Sequence, residues 1–545
     1  MKPWFVRLQK VLMLCVLLAL AAFVVAVLPL EAQAAAISDS VPVSASRAYI
    51  LTIDSDAQSD PGEVLDCSSF SAPDGLGPAL AVGGNITFRC SGTIVVPATS
   101  ITMDMSLDAT GQDVTLSGND AVQLFHVNPG IHLTLRNLTV ANGRVAGSDG
   151  TTGGNWQNGT PGGDAYGGCL YNDGGVVSLI GTTLSNCVAS GGIGGAGGLG
   201  ADGGSGGRGC GGAIYNNNGS LTVSDSTVVG CSALGGTGGI GGNGNSGYSY
   251  CCGWFFGSCV SWCWRPGVWG GDGGTGGQGC GGAISGTGTA TVEMANSVFS
   301  ANLARGGGGG SAGFGDGHVG YGGAGGSAIG GGAHHPSGVL NAANSSISGN
   351  GATGGYPGSG SGYVTQGSAQ GGGLHNAGSV TIAGTTLSAN SVVGYSTQGG
   401  ALYNVGTAAV YNSTFSANSG SSYYGYGGAV QHEGGTLVLR NDTFAGNSAG
   451  GAYGSYGGAI SNGGGTVSSS NSILSNNSPQ NCNGTITSLK YNLDSGSSCS
   501  FSAMGDLVNT DPLLGPLQDN GGGSMTHALM ASSPALDAGN PSSPW

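Results

Sequence analysis

Acidic side chains, on which polysaccharide-cleaving enzymes depend, are sparse and scattered in this sequence. Glycoside hydrolases need two or three carboxylates facing one cleft, and polysaccharide lyases need a base beside Ca²⁺ held by clustered acids. The acids in the repeated part of the chain share no repeat position: Asp173, Asp225, Glu293, Glu433 and Asp442. The sequence therefore assigns no catalytic residue and favours a non-catalytic protein, with a polysaccharide lyase or glycoside hydrolase as the alternative.

Histidine offers a second kind of chemistry, because a pair of imidazoles can bind a metal or transfer protons. Aligned on neighbouring glycine pairs, His335 and His375 occupy the same place as Tyr403. We interpret them as rings stacked on consecutive turns of a repetitive fold, with a metal-binding or catalytic pair as the alternative. No metal site and no cofactor is assigned on this basis.

Two stretches contain oxygen ligands suited to Ca²⁺, the only candidate cofactor. The run DSDAQSDPGEVLD at 54–66 is rich in acids, and GGDGGTGG at 270–277 is similar to calcium-binding Gly-Asp repeats. The second stretch lacks the periodic aliphatic residue of such repeats, so we interpret it as a flexible loop. We interpret the first as a solvated loop of an N-terminal cap.

The most unusual side chains lie together in one stretch, YSYCCGWFFGSCVSWCWRPGVW at 248–269. Aromatic rings offer large contact areas to sugars and to proteins, so this stretch is the candidate binding surface. Its candidate residues are Trp254, Phe255, Phe256, Trp262, Trp264 and Trp269. The four cysteines among them predict disulfides, with a zinc site as the alternative.

A repeat must position these residues, because a Gly-Gly motif returns eight times along the chain. The copies are GGCLYN (167–172), GGAIYN (211–216), GGAISG (281–286), GGAHHP (331–336), GGGLHN (371–376), GGALYN (399–404), GGAVQH (427–432) and GGAISN (457–462). A second motif such as TTLSAN or STFSAN follows each copy. The interval is 28, 28 and 30 residues at the C-terminal end and stretches to 44, 70, 50 and 40 upstream. A fixed unit with variable inserts predicts a solenoid.

The repeat unit predicts β-strands rather than helices. Glycine makes up 117 of 545 residues, and each glycine inside a helix would cost about 1 kcal/mol relative to alanine. The sequence shows no Gly-X-Y period, which excludes collagen. Short runs such as TAAVYNSTFS combine alternation with β-branched residues, so we predict an all-β, right-handed parallel β-helix with three short strands per coil. The asparagine of each SAN motif should stack at a corner, and the glycine-rich loops should project from one edge.

The same alignment predicts disulfides, since neighbouring coils bring equivalent cysteines within bonding range. Cys187 and Cys231 occupy equivalent corners, and Cys210 and Cys280 also match each other. We therefore predict the bridges 187–231 and 210–280. Cys67–Cys90 and Cys482–Cys499 are predicted as local pairs, which leaves Cys169 without an assigned partner.

Charge and the first residues bear on location. The net charge is −15 with 12 Lys and Arg, so no basic patch is available for nucleic acid. Lys2, Arg7 and Lys10 precede an apolar run at 11–30, and EAQAAA at 31–36 offers a cleavage site. This pattern predicts a signal peptide and export, with an uncleaved membrane anchor as the alternative. Contact with the membrane is expected only through that segment.

The repeated motifs resemble a known family. The GGAI motif paired with Phe-Ser-x-Asn resembles exported right-handed parallel β-helix proteins of the pectin-lyase-like class, including those with polymorphic-outer-membrane-type repeats. Residues 76–96 and 113–143 resemble the cap and first coils of bacterial surface β-helix proteins. The end, NTDPLLGPLQDNGGGSMTHALMASSPALDAGNP at 509–541, resembles a choice-of-anchor Q module, which such proteins usually continue with a further segment. The resemblance implies a surface protein, with its terminal module truncated in this chain.

These inferences divide the chain into four parts. We expect a signal peptide at 1–36, a cap at 37–92, the β-helix at 93–480 with the Cys/Trp-rich insert at 232–279, and a terminal coil and anchor-like module at 481–545. We expect a secreted or cell-surface protein with a structural or adhesive role. Its expected partners are surface glycans or other surface proteins. A plain spacer that binds nothing is a further alternative.

Overall fold

The computed structural model describes residues 62–540. The predicted signal peptide and most of the acidic run at 54–66 lie outside the described residues. Within 62–540 the protein is nearly all β, with one helix at Leu76–Val82 beside the first strand. The strands stack into long parallel sheets, so the predicted parallel β-helix is confirmed. No helix of this part of the chain is long and apolar enough to cross a bilayer.

Three sheets form the faces of the coil, because each coil contributes one strand to each face. Sheet I contains Thr99–Ile101, Phe125–Val127, Leu170–Asp173, Ile214–Asn217, Ile284–Thr287, Ala333–His335, Leu374–Asn376, Leu402–Asn404, Val430–His432, Ile460–Asn462 and Cys482–Asn483. Sheet II contains Gly62–Val64, Gly84–Phe88, Met105–Asp108, His132–Arg136, Val176–Ile180, Ser220–Ser224, Thr291–Ala295, Val339–Ala343, Ser379–Ala383, Thr407–Tyr411, Thr436–Arg440, Thr466–Ser470 and Thr487–Ser488. Sheet III contains Gly92–Val95, Val114–Ser117, Thr139–Ala141, Thr183–Ser185, Thr227–Val229, Val298–Ser300, Ser346–Ser348, Thr386–Ser388, Thr414–Ser416, Thr443–Ala445, Ile473–Ser475, Leu493–Asp494 and Leu507–Val508.

A fourth sheet, sheet IV, is built where the inserts leave the coil and return to it. Its strands are Arg144–Ala146, Ala165–Tyr166, Val188–Ser190, Gly209–Cys210, Ser232–Leu234, Gly279–Cys280, Leu303–Arg305, Ala328–Ile329, Gly351–Thr353, Ala369–Gln370, Ser391–Val393, Ser396–Gln398, Ser419–Tyr426 and Ser448–Tyr456. Three antiparallel pairs lie outside these sheets: Tyr248–Phe255 with Ser258–Arg265, Phe314–Gly315 with His318–Val319, and Leu514–Gln518 with Thr526–Leu529. All inserts therefore leave from one edge, as the repeat alignment predicts.

Alternation along each strand fills the coil interior with apolar side chains. In the strand Thr407–Tyr411, Ala408 and Val410 are fully buried while Thr407 is exposed. Phe415 and Phe444 stack on adjacent coils with ring centroids 4.6 Å apart and planes 12° apart. Because equivalent residues pair in register, each coil adds one layer to a continuous apolar core.

Glycine forms the corner that begins each repeat. Gly399 has φ of 66°, in the left-handed region that other residues rarely adopt. A Cβ placed there would also meet the carbonyl oxygen of Leu402 well inside 3.0 Å. The first glycine of the motif is therefore required by the backbone, whereas the following Ala401 and Leu402 are fully buried in the core.

The predicted asparagine ladder exists at the corner after sheet III. Asn418 Oδ1 accepts the side-chain N–H of Asn390 at 3.0 Å, and Asn418 Nδ2 donates to Asn447 Oδ1 at 2.9 Å. Asn418 also accepts the backbone N–H of Asn390 and donates to the carbonyl of Leu387, so all its polar atoms are bonded. The ladder includes Asn302, Asn350, Asn390, Asn418, Asn447, Asn477 and Asn481.

A second buried ladder lies between sheets II and III and contains mostly serine and threonine. In it, a hydroxyl of one coil accepts the backbone N–H of the previous coil, as Ser472 does for Asp442 at 3.1 Å. Asp442 takes a serine position and accepts the N–H of Ser413 at 2.8 Å. Burial raises the pKa of this carboxyl well above its usual value.

The inserts form a second body beside the coils, which we call the glycine slab. Five inserts run outward and back, and their ten segments lie in two layers. The outgoing layer contains residues 147–154, 191–199, 235–245, 306–315 and 354–360, and the returning layer contains residues 157–164, 201–208, 268–278, 320–327 and 363–368. The slab is thus an ordered extension of the solenoid on the edge that carries sheet IV.

Hydrogen bonds in the slab recur every three residues. Gly191, Gly194 and Gly197 donate to the next outgoing segment at 2.8, 2.8 and 2.9 Å. Gly192 and Gly195 donate at 2.8 Å to the returning segment of the preceding insert. Three residues per turn is the geometry of a polyproline II helix, in which backbone groups point sideways to neighbouring chains. Each segment therefore uses two glycines of a triplet for contacts and turns the third residue outward.

The slab corrects two expectations from the sequence. A local Gly-Gly-X period is present inside the inserts, as in GGIGGAGGLG at 191–200, although the whole chain has no such period. GGDGGTGG at 270–277 is hydrogen-bonded on both sides instead of forming a flexible loop. In it, Asp272 Oδ1 accepts the N–H of Tyr321 at 2.8 Å, so this carboxylate has a structural role. Neighbouring segments approach so closely that only glycine fits between them.

The terminal segment runs back along the outside of sheet III. His527 Nε2 lies 3.0 Å from Ser416 Oγ, and the N–H of Asn540 donates to Asn471 Oδ1 at 3.0 Å. Thr386 Oγ1 donates to the carbonyl of Met525 at 2.6 Å. The described part of the predicted anchor-like module is therefore packed on the coils.

Candidate binding surface

Five of the six candidate binding residues lie on a β-hairpin at the outer end of the glycine slab, which we call the aromatic hairpin (residues 248–265). It interrupts the third insert between an outgoing segment that ends at Asn245 and a returning segment that begins at Val268. The N–H of Val268 donates to the carbonyl of Asn245 at 2.8 Å, which closes the slab beneath the hairpin. The hairpin is therefore an addition to a slab segment that is already complete.

Two disulfides hold the hairpin together. Cys251 bonds to Cys259, and Cys252 bonds to Cys263. All four cysteines of the insert are thus consumed in disulfides, and no group of three or more metal-binding side chains occurs within residues 62–540. The zinc alternative is therefore not supported. Covalent cross-links replace the apolar core that a two-stranded hairpin lacks.

The aromatic side chains of the hairpin point into solvent. Phe256 is 93% exposed at the turn, and Trp254, Trp262 and Trp264 are 68%, 68% and 62% exposed. Phe255 packs edge to face on Phe256, with ring centroids 4.5 Å apart. Exposure of so many large rings in one place is unusual for a protein surface.

Trp269 lies apart from the other candidate residues. It belongs to the returning slab segment, and its ring lies 4.6 Å from that of His318 on the next insert. A separate depression of about 490 Å³ at the hairpin base is lined by Tyr248, Tyr250, Trp264, Arg265 and Pro266. The structure therefore places five of the six candidate residues on the hairpin and the sixth on the slab.

The cysteines of residues 62–540 form six disulfides and leave one free thiol. The bonds join Cys67 with Cys90, Cys169 with Cys187, Cys210 with Cys280, Cys251 with Cys259, Cys252 with Cys263, and Cys482 with Cys499. This number of disulfides is typical of proteins that fold in an oxidising, extracellular environment.

One predicted pairing differs from the structure, since Cys187 bonds to Cys169 and not to Cys231. The coil register is as predicted, because Val188 pairs with Ser232 and places the two cysteines at equivalent corners. Cys169, however, faces the same corner from within its own coil, with its Cα 5.4 Å from that of Cys187. Cys231 is the free thiol, and burial raises its pKa to about 12.

A row of rings exists at the predicted place, but with a different residue. His334, and not His335, packs edge to face on His375, with ring centroids 5.1 Å apart and planes 61° apart, and His375 stacks on Tyr403 at 5.0 Å. His335 turns into the coil interior beside Asn376 of the next coil. Burial lowers the pKa of His375 to about 4, so its ring is neutral at physiological pH. The arrangement is that of a structural aromatic ladder.

The register shift has a simple cause in the sequence. Three consecutive glycines, 330–332, precede this copy of the motif, so a Gly-Gly alignment fits in two ways. The structure uses Gly330, with φ of 63°, as the corner, as it uses Gly371 and Gly399 in the next two coils. Only the stacking of neighbouring coils distinguishes the two alignments.

Two of the acids in the repeats, Glu433 and Glu293, bond amide side chains. Glu433 accepts hydrogen bonds from Gln431 at 2.8 Å and Gln398 at 3.2 Å, and Glu293 accepts one from Asn341 at 2.7 Å. Each of these carboxylates bonds an amide of its own or a nearby coil, and the two lie on different faces. Their arrangement has the form of polar ladders and not of a cleft with facing carboxylates.

A further aromatic feature escaped the sequence analysis. Tyr423 stacks on Tyr453 with centroids 5.6 Å apart, and Tyr426 stacks on Tyr456 at 5.2 Å. These rings stand on the long strands of sheet IV. Their signal was present in the sequence, because Tyr426 and Tyr456 each directly precede a Gly-Gly motif.

Comparison with known proteins does not place the chain in a family. Searches against protein-family models, curated proteins and solved structures each returned no match. The function must therefore be argued from the geometry of this molecule.

Proposed function

We propose that this protein is a secreted or surface-displayed scaffold with a structural and adhesive role, and that the aromatic hairpin is its attachment element. The observation that carries the proposal is the exposure of Trp254, Phe255 and Phe256 on a hairpin held by two disulfides. A rigid aromatic element loses little conformational freedom when it binds, which favours attachment.

The position of the hairpin supports the proposal. It stands at the outer end of the longest insert, so the slab separates it from the coils. The slab segments beneath it are bonded at 2.8–2.9 Å, for example from Gly242 to Ala201 and from Gly271 to Gly242. An ordered support of this kind holds the hairpin away from the rest of the protein and presents it to another surface.

Location outside the cell is part of the proposal. The predicted signal peptide, the disulfides and the resemblance of the GGAI repeats and the 509–541 segment to bacterial surface β-helix proteins all favour it. Surface glycans and other surface proteins are the partners that the resemblance favours. The packed terminal segment supports a structural role for its described part, since it contacts sheet III through Ser416 and Thr386.

Removal of the hairpin tests this function. Residues 247–266 are replaced by a two-residue Gly-Asn turn, which the bond between Val268 and Asn245 accommodates. Retention of the purified protein on envelopes of the producing cells is measured by sedimentation. We expect at least a tenfold loss of retention with an unchanged circular dichroism spectrum. Equal retention of the shortened protein would reject the hairpin as the attachment element.

A matched variant separates the rings from the fold of the hairpin. Serine replaces Trp254, Phe255 and Phe256 while all four cysteines stay. We expect this variant to lose retention as the deletion does, because the rings supply the contact area. Retention equal to that of the wild type would show that the hairpin backbone, or another part of the chain, makes the attachment.

A further inference from the structure

We propose that the aromatic hairpin inserts its tip into the interfacial region of a lipid bilayer with neutral headgroups. This inference rests on the proposed attachment function and names the surface to which the hairpin attaches. Three features of the hairpin carry it: the order of its side chains from tip to base, its lack of charge, and the bonding of its backbone.

The side chains change in polarity along the hairpin. Phe255 and Phe256 form the tip, beside Gly257, where a Cβ would meet nothing within 4 Å. Trp254 and Trp262 follow, and Trp264 stands with Tyr248 and Tyr250 nearest the slab. The phenyl rings at the tip and the indole and phenol rings behind them match the change from hydrocarbon to headgroup across a bilayer interface, where tryptophan and tyrosine concentrate.

The part of the hairpin that would insert carries no charged side chain. No Asp, Glu, Lys or Arg occurs from Tyr248 to Trp264, and Arg265 is the first charged residue, at the base. Between Tyr248 and Trp264 the polar side chains other than tyrosine, tryptophan and cysteine are three serines. A sugar-binding surface needs amide, carboxylate or guanidinium groups beside its rings to bond hydroxyls, and the only such group of the hairpin, Arg265, lies at its base. The composition of the tip therefore favours a lipid over a glycan.

The backbone of the hairpin limits its insertion to the interface. Its two strands pair from Tyr248–Arg265 to Phe255–Ser258, with register shifts around Gly253, so the inward-facing N–H and C=O groups bond across the hairpin. The outward-facing groups of the two edges need water or headgroups as partners, which the interface supplies and the hydrocarbon core does not. The Cys251–Cys259 bond lies close to the turn and prevents the strands from separating. Residues 254–260 reach about 10 Å from the turn, the depth of an interfacial insertion.

The net charge of the protein favours bilayers with neutral headgroups over anionic ones. At −15 the protein is repelled by anionic headgroups, and the hairpin offers no lysine to offset this. Binding should therefore be strongest to zwitterionic bilayers and should not weaken with salt, because no ion pair is made. This behaviour is opposite to that of proteins that bind membranes through basic patches.

Vesicle binding tests the inference with the intact exported chain. The probe is a vesicle of phosphatidylcholine alone, compared with one containing a third phosphatidylserine. We expect binding to the neutral vesicle that is unchanged between 0.1 and 0.5 M NaCl and is reduced by phosphatidylserine at low salt. Tryptophan fluorescence should shift to the blue and be quenched by brominated acyl chains.

Two variants make the test specific. Phe255→Ser with Phe256→Ser should lower the partition coefficient at least tenfold, while both disulfides stay. Tyr453→Ser removes a ring that is 71% exposed but lies on sheet IV, and it should bind vesicles as the wild type does. Equal losses in both variants would mean that the contact is not made by the hairpin tip and would overturn the inference.

The same measurements distinguish failure of the inference from failure of the proposed function. Hairpin-dependent retention on cell envelopes without binding to protein-free vesicles would overturn the lipid assignment and leave the attachment function standing. Sensitivity of that retention to protease or to periodate would then identify a protein or a glycan. Absence of both retention and vesicle binding would overturn the two proposals together.

Discussion

The coils and the glycine slab are neighbouring parts of one solenoid, yet they exclude water in opposite ways. The coil interior is filled by side chains, as where Phe415 stacks on Phe444 at 4.6 Å. The slab interior contains almost no side chains, because Gly239 packs directly against the backbone of Gly195. Both parts repeat once per coil, but one repeats an apolar layer and the other a row of backbone hydrogen bonds.

This difference in packing indicates that the coils are more stable than the slab. Burial of apolar area stabilises each coil by roughly 25 cal/mol per Å². The slab buries little such area and must order many glycines, which lose more conformational freedom on folding than other residues. We therefore expect the coils to fold without the slab, and the slab to require the coils that align its segments.

Removal of a core ring should have the largest effect. Phe415→Ala deletes a fully buried aromatic side chain and leaves a cavity, so the affected coils should lose about 3–5 kcal/mol. Hydrogen exchange measured by mass spectrometry should show the loss in residues 386–445. A loss below about 1 kcal/mol would show that side-chain packing does not dominate the coil.

Adding a side chain between slab segments should destabilise the protein less than loss of a core ring, and only near the site of the change. Gly239→Ala places a Cβ well inside 3.0 Å of Gly195 O, and overpacking of this kind costs about 1–3 kcal/mol. Faster hydrogen exchange is expected in the slab segments on both sides, with unchanged exchange in the coil strand Thr227–Val229. Equal loss of protection in that strand would contradict the proposed independence of the coils.

A glycine on the outer side of the slab provides the matched control. Gly308 is the outward residue of its triplet, and an added Cβ would lie 3.7 Å from Tyr356 O and 3.8 Å from Thr237 Cγ2. Gly308→Ala should therefore leave the slab unchanged or stabilise it by about 0.4–1 kcal/mol. Destabilisation as large as that of Gly239→Ala would mean that the backbone conformation of the segments, and not their close packing, requires glycine in the slab.

Breaking the asparagine ladder should lower the free energy of unfolding of the coils. The loss should be about as large as the loss that crowding causes in the slab, or slightly smaller. Asn418→Ala removes four hydrogen bonds and leaves the buried amide of Asn390 and the carbonyl of Leu387 without this partner. Buried groups left without a partner cost about 1–3 kcal/mol. Urea unfolding should show the loss, while Ser421→Ala, at an exposed position of the same coil, should show none.

Repair of the serine ladder should have the smallest effect, and it should depend on pH. In the folded protein burial raises the pKa of Asp442, so the folded state loses stability as pH rises above the unfolded pKa of 3.8. Asp442→Ser restores the ladder residue and should add about 1 kcal/mol at pH 7. The gain should disappear near pH 3, where the carboxyl is protonated in both states. A gain that is constant with pH would show that charge burial is not its cause.

Much of the coil could be predicted from the sequence because its signals are local. Alternation around Ala408 and Val410 predicts a strand with one buried face, and the SAN motif predicts the stacked Asn418. The edge from which the inserts project also follows, since every insert lies between the SAN motif and the next Gly-Gly. The aromatic hairpin could be located as a candidate surface from its composition alone.

The remaining features could not be predicted, because each depends on which segments become neighbours. A Gly-Gly-X triplet has little preference for one conformation until neighbouring segments accept its hydrogen bonds, as those around Gly239 do. The three glycines at 330–332 fit two registers, so His335 was placed where His334 stands. The repeat alignment paired Cys187 with Cys231, whereas the local geometry of its coil brings Cys169 to it.

The sequence by itself therefore determined the solenoid, its polar ladders and its aromatic insert, because side-chain periodicity and turn chemistry act over a few residues. The tertiary structure alone decided the glycine slab, the Cys169–Cys187 bridge and the exposure of the hairpin. The slab depends on hydrogen bonds between segments that are distant in sequence, and glycine has no side chain that indicates such contacts. The bridge and the exposure of the hairpin depend on the path of the backbone in three dimensions, which residue types alone do not specify.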